Sequence, residues 1–374
     1  MKTRGAVLQG MGFPMPYQDS KPLSIKTLNL DEPQANEVLI KVEAAGLCHS
    51  DLSVINGSRP RPMPMLLGHE AAGKIIEVGR GVSDFEKGDH VVCTFIPSCG
   101  QCIPCKEGRP ALCELGAKSN ENGEMLAGGR RLHLNGEYIN HHLGVSGFSE
   151  YAVVSTHSIV KVNPSIPFET IALFGCAVIT GVGAIVNTAN IKPGSKVAIV
   201  GLGGIGLNAI MGAKLSGASQ IIGLDINTNK LESAKKLGAT SVYDSKKEGI
   251  VEYIKEYTNG GLDYVFETAG AIPAMNLAYN ITKRGGTTIT TGLPDPNQSV
   301  SLPQVTLTAE ERTIKGSYVG SCIPQRDIPN FIELFKQDRL PVDSLLSTTI
   351  SLEEINEGFD KLARGEVNRL VVIP

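Results

Sequence analysis

Between residues 196 and 225 the chain leaves little freedom in how it can fold. Lys196-Val-Ala-Ile-Val200 is a short apolar run of strand type, and Gly201-Leu-Gly203-Gly204-Ile205-Gly206 follows it without a spacer. A helical stretch then runs from Leu207 to Ser216, and a second strand, Gln220 to Asp225, ends in an acid nineteen residues beyond Gly206. The pattern G-x-G-x-x-G alone carries little weight. Placed directly after a strand and opening a helix, it predicts a βαβ unit whose glycine turn lets the backbone approach a pyrophosphate at the positive end of the helix. Asp225 is placed to bind both ribose hydroxyls of an adenosine, and its charge would repel a 2′-phosphate. The expected cofactor is therefore NAD rather than NADP.

Further strands at Tyr264–Glu267 and Thr287–Thr290 continue the alternation, which predicts an α/β unit with a doubly wound parallel sheet. The first ~175 residues differ in character: they are rich in Gly, Pro and short β-branched runs such as 37–43, 73–79 and 89–93. They read as a β-rich domain with long functional loops. Past residue 318 come amphipathic pieces (328–336 and 352–364) and a last strand, Arg369–Ile373. The segment from Leu115 to Ser149 holds seven glycines and is mostly polar, so a surface excursion is expected there.

With 374 residues, 41% hydrophobic and 20% charged, the chain has material for two globular domains. Its net charge of −3 argues against broad attraction to nucleic acid or to an anionic membrane surface. No apolar run is seen to approach the ~18 residues of a membrane span, and Met1-Lys2-Thr3-Arg4 leads into no signal-like stretch. The expected location is the cytoplasm.

Eight cysteines stand at 48, 93, 99, 102, 105, 113, 176 and 322. Without an export signal, metal binding or catalysis accounts for them better than disulfides. Cys99, Cys102, Cys105 and Cys113 fall within fifteen residues and suit a tetrahedral, all-cysteine structural zinc. Lys106 and Arg109 among them would offset thiolate charge. A zinc ribbon that reads nucleic acid is the rival reading, disfavoured by the weak net charge and the lack of interleaved aromatics. A second set is scattered over Cys48-His49-Ser50-Asp51, Gly68-His69-Glu70 and Gly175-Cys176. Spacing does not assemble these, and a lone buried cysteine or histidine is usually structural.

Taken in order, Gly46-Leu-Cys-His-Ser-Asp51, Gly68-His-Glu-Ala-Ala-Gly73, the four-cysteine lobe, Gly175-Cys176 and the glycine turn resemble the zinc-containing medium-chain alcohol dehydrogenases. The likeness runs essentially the full length, to Asn368-Arg369. The segment after Cys113, with Arg130, His141-His142 and Gly144, resembles the long-loop branch typified by the liver enzymes. That resemblance implies a GroES-like catalytic domain over 1–177, with 319–374 returning to it, and a Rossmann domain over 178–318. It implies a homodimer, or a tetramer as in other members, acting on a small-molecule alcohol or aldehyde with no nucleic-acid or membrane partner.

Carried onto single residues, the resemblance implies two zinc ions per chain. Cys48, His69 and Cys176 would hold the catalytic one and leave a fourth position for water or alcohol. Asp51 would bind the far nitrogen of His69, with Glu70 just behind the metal. His49 and Arg369 would clasp the pyrophosphate, Lys230 the ribose beside Asp225, and Thr180 would touch the nicotinamide. Ser50, Phe95, Leu143 and Leu293 would frame the substrate pocket, with no candidate cation to hold a carboxylate or a glutathione tail. Ser50 would pass the hydroxyl proton onward. In many relatives the relay continues to a histidine where this chain has Ser53, so its last step is open and water is a candidate.

The glutathione-dependent formaldehyde dehydrogenase branch is the alternative within the family. Arg59 stands where that branch carries an acid, and Ala117 where it carries an arginine. Zinc-free quinone reductases and lens proteins, the alternative from another class, lack the set Cys48, His69 and Cys176. The expected substrates are primary alcohols, longer-chain or aromatic.

Overall fold

The computed structural model describes all residues from Met1 to Pro374. The chain forms two compact units. One comprises Met1–Cys176, Ile323–Pro329 and Leu346–Pro374, the other Ala177–Cys322 and Asn330–Leu345.

The first unit is built on strands. Glu37–Gly46 and Glu70–Val78 pair antiparallel with Gly46 opposite Glu70. His90–Cys93 and then Ile159–Lys161 extend the sheet on one side, while Arg369–Ile373 and Leu346–Ser351 extend it on the other. Residues Val38, Ile40 and Val42 are buried with Leu47, Phe148, Phe359 and Leu370 in one core. The Phe148 and Phe359 rings meet edge to face at 6.0 Å. A separate closed barrel takes strands Lys2–Leu8, Leu23–Leu30, Leu132–Leu134, Glu137–His141 and Met65–Leu66.

Two of these strands, Leu132–Leu134 and Glu137–His141, correct the expectation for 115–149. This segment is no surface excursion: it supplies a helix, Glu114–Asn122, and two of the barrel strands. The two strands are joined by Asn135 and Gly136 at φ 54° and 88°, the positive values that a two-residue hairpin turn requires. Arg131 fixes the segment from inside. Its Nε and Nη2 donate to the Glu37 carboxylate at 2.9 and 2.7 Å, and both side chains are almost fully buried.

A second correction concerns the expectation of no membrane-length apolar run: Phe168–Ala189 is a helical run of 22 residues, long and apolar enough by composition to cross a membrane. Of its apolar window, 89% is buried inside the protein, as befits a core helix.

The second unit carries six parallel strands in the order Ser241–Asp244, Gln220–Asp225, Lys196–Val200, Leu262–Glu267, Thr282–Thr290, Thr313–Gly316. The order reverses between Lys196–Val200 and Leu262–Glu267. Ligands of such sheets bind at that reversal, beyond the carboxyl ends of the strands. The turn Gly201–Gly206 lies there.

The Arg131–Glu37 pair yields a stability test. Arg131→Ala should lower the unfolding free energy by about 3–5 kcal/mol, because it strands a buried carboxylate. Replacing both residues by leucine or methionine should cost much less. Urea unfolding followed by circular dichroism checks both; a loss under about 1 kcal/mol for the single variant would show the pair to be dispensable.

Candidate active site

The register of the central strand pair explains how distant residues meet. Because Gly46 lies opposite Glu70, Cys48 and His69 leave the sheet at the same end. Cys176 arrives from the helical run, in a wider π-type turn over Phe174–Val178. The preceding Gly175 makes its approach possible: a Cβ there would stand 2.3 Å from the carbonyl oxygen of Cys93, on the strand that pairs with Glu70–Val78. The result is a buried cluster in which the ligand atoms of Cys48, His69, Glu70 and Cys176 all lie within 4.8 Å of one another.

The polar atoms of this cluster are incompletely paired. His69 Nε2 and Glu70 Oε2 are buried and have no hydrogen-bond partner. On its other side, His69 Nδ1 lies 3.3 Å from Asp51 Oδ1, which also accepts the Gly68 N–H at 3.0 Å. Glu70 Oε1 accepts from Arg369 Nη1 at 3.1 Å, and the same nitrogen reaches the Leu47 carbonyl at 3.2 Å. Arg369 is thus buried against Glu70, with its Nε unpaired.

Charge in this cluster is strongly redistributed. Burial works against a charged His69, but the Asp51 carboxylate and Cys48 raise its pKa well above the usual histidine range. Burial lifts the Glu70 carboxyl to about 8 even with Arg369 beside it. A hydrogen bond from the Cys176 thiol holds Cys48 well below a free thiol, and the same contact raises Cys176. Two thiols and an imidazole nitrogen lacking a partner form a donor set that a zinc ion fits, with one position left open. That arrangement is the known form of catalytic zinc in alcohol dehydrogenases.

The second cysteine cluster is also assembled. Cys99, Cys102, Cys105 and Cys113 bring their sulfurs within 4.8 Å of one another, and every cysteine of the chain is free. Backbone N–H groups of Cys99 and Gly116 donate to Cys113 Sγ at 3.2 and 3.3 Å, and that of Cys102 to Cys99 Sγ at 3.3 Å. The N–H of Gln101, together with that of Cys102, draws Cys99 down to about 6. Donors aimed at sulfur suit thiolates around a cation, so this set fits a closed metal site.

In the second unit, Gly201 has φ +96° and a Cβ at Gly206 would stand 1.9 Å from the Gly201 carbonyl oxygen, so the turn itself demands both. A Cβ on Gly203 would meet no protein atom within 4 Å, so the protein itself does not demand this glycine. No side chain caps the helix Gly204–Leu215, so its first N–H groups, Gly204 and Ile205 included, stay open to a ligand. Asp225 Oδ2 accepts the Leu202 N–H at 2.6 Å and Oδ1 the Asn227 N–H at 2.8 Å, leaving lone pairs on both oxygens. Thr180 is buried and Lys230 half-buried on the helix Thr228–Leu237.

The remaining expected residues divide between the units. Phe95 packs edge to face on the His69 ring at 5.2 Å, and Leu143 is buried in the turn after His142. Ser50 Oγ is 3.8 Å from Cys48 Sγ, whereas His49 is exposed. Leu293 is 53% exposed and belongs to the second unit. Sequence reading missed two residues near the cluster. His142, known only as half of a His-His pair, places Nδ1 3.1 Å from Asp51 Oδ1. Burial chiefly lowers the His142 pKa, and the nearby charge of Arg61 adds to that effect, a cation where none is expected from sequence.

Comparison with known proteins identifies the family. Residues 34–164 match the alcohol dehydrogenase GroES-like domain, and residues 204–337 the zinc-binding dehydrogenase domain. A Mycobacterium tuberculosis protein assigned as alcohol dehydrogenase D is 40% identical over 377 residues, covering 100% of both chains. The chain belongs to the zinc-containing medium-chain alcohol dehydrogenases. Within this oxidoreductase family it is similar in structure to the benzyl alcohol dehydrogenase of Acinetobacter calcoaceticus, with TM-score 0.93 and 32% identity over 100% of this chain and 99% of that one. It is also similar to a Sinorhizobium meliloti 1021 protein assigned as a zinc-binding dehydrogenase and solved with NADP, with TM-score 0.82 and 26% identity over 100% of both chains. Such dehydrogenases couple zinc to a nicotinamide coenzyme.

The two thiol sets should separate by mutation. Cys176→Ser should remove one zinc per chain and abolish turnover while the thermal midpoint stays near that of the parent. Cys102→Ser should remove the other zinc and lower the midpoint. Metal analysis and thermal melting of both variants check this; a Cys176→Ser protein that keeps full activity would exclude the buried cluster as the reaction site.

Proposed function

We propose that the protein is an NAD-linked alcohol dehydrogenase with two zinc ions per chain, oxidising primary alcohols, longer-chain or aromatic, to aldehydes and running the reverse reaction. The observation that carries this reading is the unpartnered Nε2 of His69, buried against the Cys48 and Cys176 thiols with the Ser50 hydroxyl alongside. Cys48, His69 and Cys176 would hold the catalytic ion, whose Lewis acidity, when bound, makes an alcohol hydroxyl acidic near neutral pH. Ser50 Oγ would receive the hydroxyl proton and pass it outward; a nicotinamide coenzyme, when bound, would supply the acceptor for the α-hydride, so that the alcohol becomes a carbonyl. Phe95 and Leu143 offer apolar walls that keep water from the reacting carbon.

Ser53 is poorly suited to extend the relay. Its hydroxyl already donates to the His49 carbonyl at 2.8 Å, and a hydroxyl cannot store a proton near pH 7. Water finishing the relay is the consistent reading.

Two features support the finer choices. A 2′-phosphate would have to sit beside the Asp225 carboxylate, which favours NAD even though the Sinorhizobium meliloti relative was solved with NADP. Aromatic and longer alcohols are favoured by the apolar walls and by the likeness to a benzyl alcohol dehydrogenase. Each added methylene buried there is worth about 0.8 kcal/mol.

Steady-state kinetics test the reading. Hexanol and benzyl alcohol should exceed ethanol in kcat/KM, and sorbitol and S-hydroxymethylglutathione should be poor. NAD should beat NADP by about 100-fold, because crowding like charges costs several kcal/mol. Asp225→Gly should narrow that ratio. Preference for S-hydroxymethylglutathione, or equal use of both coenzymes, would overturn the respective assignment.

The relay has its own test. Ser50→Ala should cut turnover by about 10²–10⁴-fold, and Ser53→Ala far less. Equal losses across the pH range would show that both hydroxyls carry the proton.

A further inference from the structure

His142 sits on a tightly wound turn. The next residue, Leu143, has φ +54° and Ser146 has φ +55°, values that non-glycine residues rarely adopt and that persist only where surrounding contacts enforce them. Those contacts are present. The His142 N–H donates to Ser146 Oγ at 3.0 Å, and that hydroxyl donates to the Leu66 carbonyl at 2.9 Å. The Val145 and Ser146 N–H groups close back on the His142 carbonyl at 3.1 and 3.2 Å. The turn therefore aims a buried imidazole in one direction.

That direction is the Asp51 carboxylate. His142 Nδ1 stands 3.1 Å from Asp51 Oδ1, and the His142 ring meets the His69 ring edge to face at 5.5 Å. The same oxygen accepts the Gly68 N–H at 3.0 Å and faces His69 Nδ1 at 3.3 Å, while Asp51 Oδ2 has no partner. The approach is not aligned as a hydrogen bond, but a bare Nδ1 would still crowd its lone pair against the carboxylate oxygen, so the attractive arrangement is the one with a hydrogen on this nitrogen. Gly68 and His69 belong to the strand end that bears the metal ligand. His142 contacts the carboxylate from a different part of the chain.

We infer that His142 is a positioning residue for the metal-ligating His69, fixing the Asp51 carboxylate so that His69 keeps its proton on Nδ1 and its Nε2 on the metal. It rests on the reading of Cys48, His69 and Cys176 as ligands. With the donor at 142 gone, the carboxylate can turn to present Oδ2, and the histidine ligand loses its fixed aim. Partners of this kind are worth about 10–100-fold in metal affinity.

Competition for zinc against a chelator of known affinity, on the full-length protein, provides the test. His142→Phe keeps ring volume without a donor, and His142→Asn places an amide N–H near the position of Nδ1. The Phe variant should hold one of its two zinc ions about 10–100-fold more weakly, while the other ion and the thermal midpoint of the zinc-saturated protein stay unchanged. The Asn variant should recover much of the loss. In cobalt(II)-substituted protein, the Phe variant should shift the d–d bands of the buried site and the Asn variant should not. Unchanged affinity and spectrum in the Phe variant would overturn the inference. If the Phe variant does not fold, the Asn variant against His142→Asp decides, since Asp keeps the size but offers no N–H: equal zinc affinity in the two overturns it. A third zinc equivalent in the parent that vanishes in the Asn variant would overturn it too, as His142 would then be a ligand. Fewer than two zinc ions in the parent would instead remove the ligand reading itself, which separates the two failures.

Discussion

The backbone hydrogen bonds that set Gly46 opposite Glu70 carry the greatest consequence in the first unit. They place Cys48 and His69 at one sheet end, and the Arg369–Ile373 strand, paired on Gly46 through Val371, adds Arg369 behind Glu70. Side chains alternate between faces along a strand, so a slip of one residue would turn Glu70 away from Arg369. The core of Val38, Ile40, Val42, Phe148 and Leu370 pins this register, because any slip would expose apolar side chains to water.

The two cysteine-bearing clusters differ in a way that matches different roles. Around Cys99 and Cys113, backbone N–H groups already point at sulfur, and three of the four cysteines are partly exposed. The buried cluster instead concentrates unpaired polar atoms: His69 Nε2, Glu70 Oε2 and Asp51 Oδ2. An unpaired buried polar group costs about 1–3 kcal/mol, so natural folds rarely gather several without a ligand to satisfy them. A metal would complete His69, while Arg369 moderates the charge on Glu70.

Local rules made part of this legible. The turn Gly201–Gly206 and the four-cysteine lobe declare themselves by spacing, since short-range geometry dictates both. Cys48, His69 and Cys176 carry no such signal. Their meeting depends on a long-range register and on the bare face of Gly175 against Cys93, and only the family resemblance pointed to them. The helix Phe168–Ala189 was hidden by its β-branched residues and three glycines, which disfavour helix in isolation. The packing explains two of these: a Cβ on Gly181 would stand 2.3 Å from the Ile205 carbonyl oxygen, and one on Gly183 would stand 2.5 Å from Cys322 Sγ. Asn135-Gly136 is a hairpin signal that the glycine-rich, polar composition of its surroundings obscures. The place of His142 beside Asp51 depends on positive φ angles at Leu143 and Ser146, which no residue preference foretells.

The buried set, as read here, is a metal centre of its own, distinct from the cysteine lobe. Anomalous diffraction from crystals of the purified protein, collected on both sides of the zinc absorption edge, tests it most directly. Two zinc peaks per chain are expected, one among Cys99, Cys102, Cys105 and Cys113 and one bounded by Cys48, His69 Nε2 and Cys176. A peak at the lobe alone, in protein that still oxidises alcohols, would contradict this expectation.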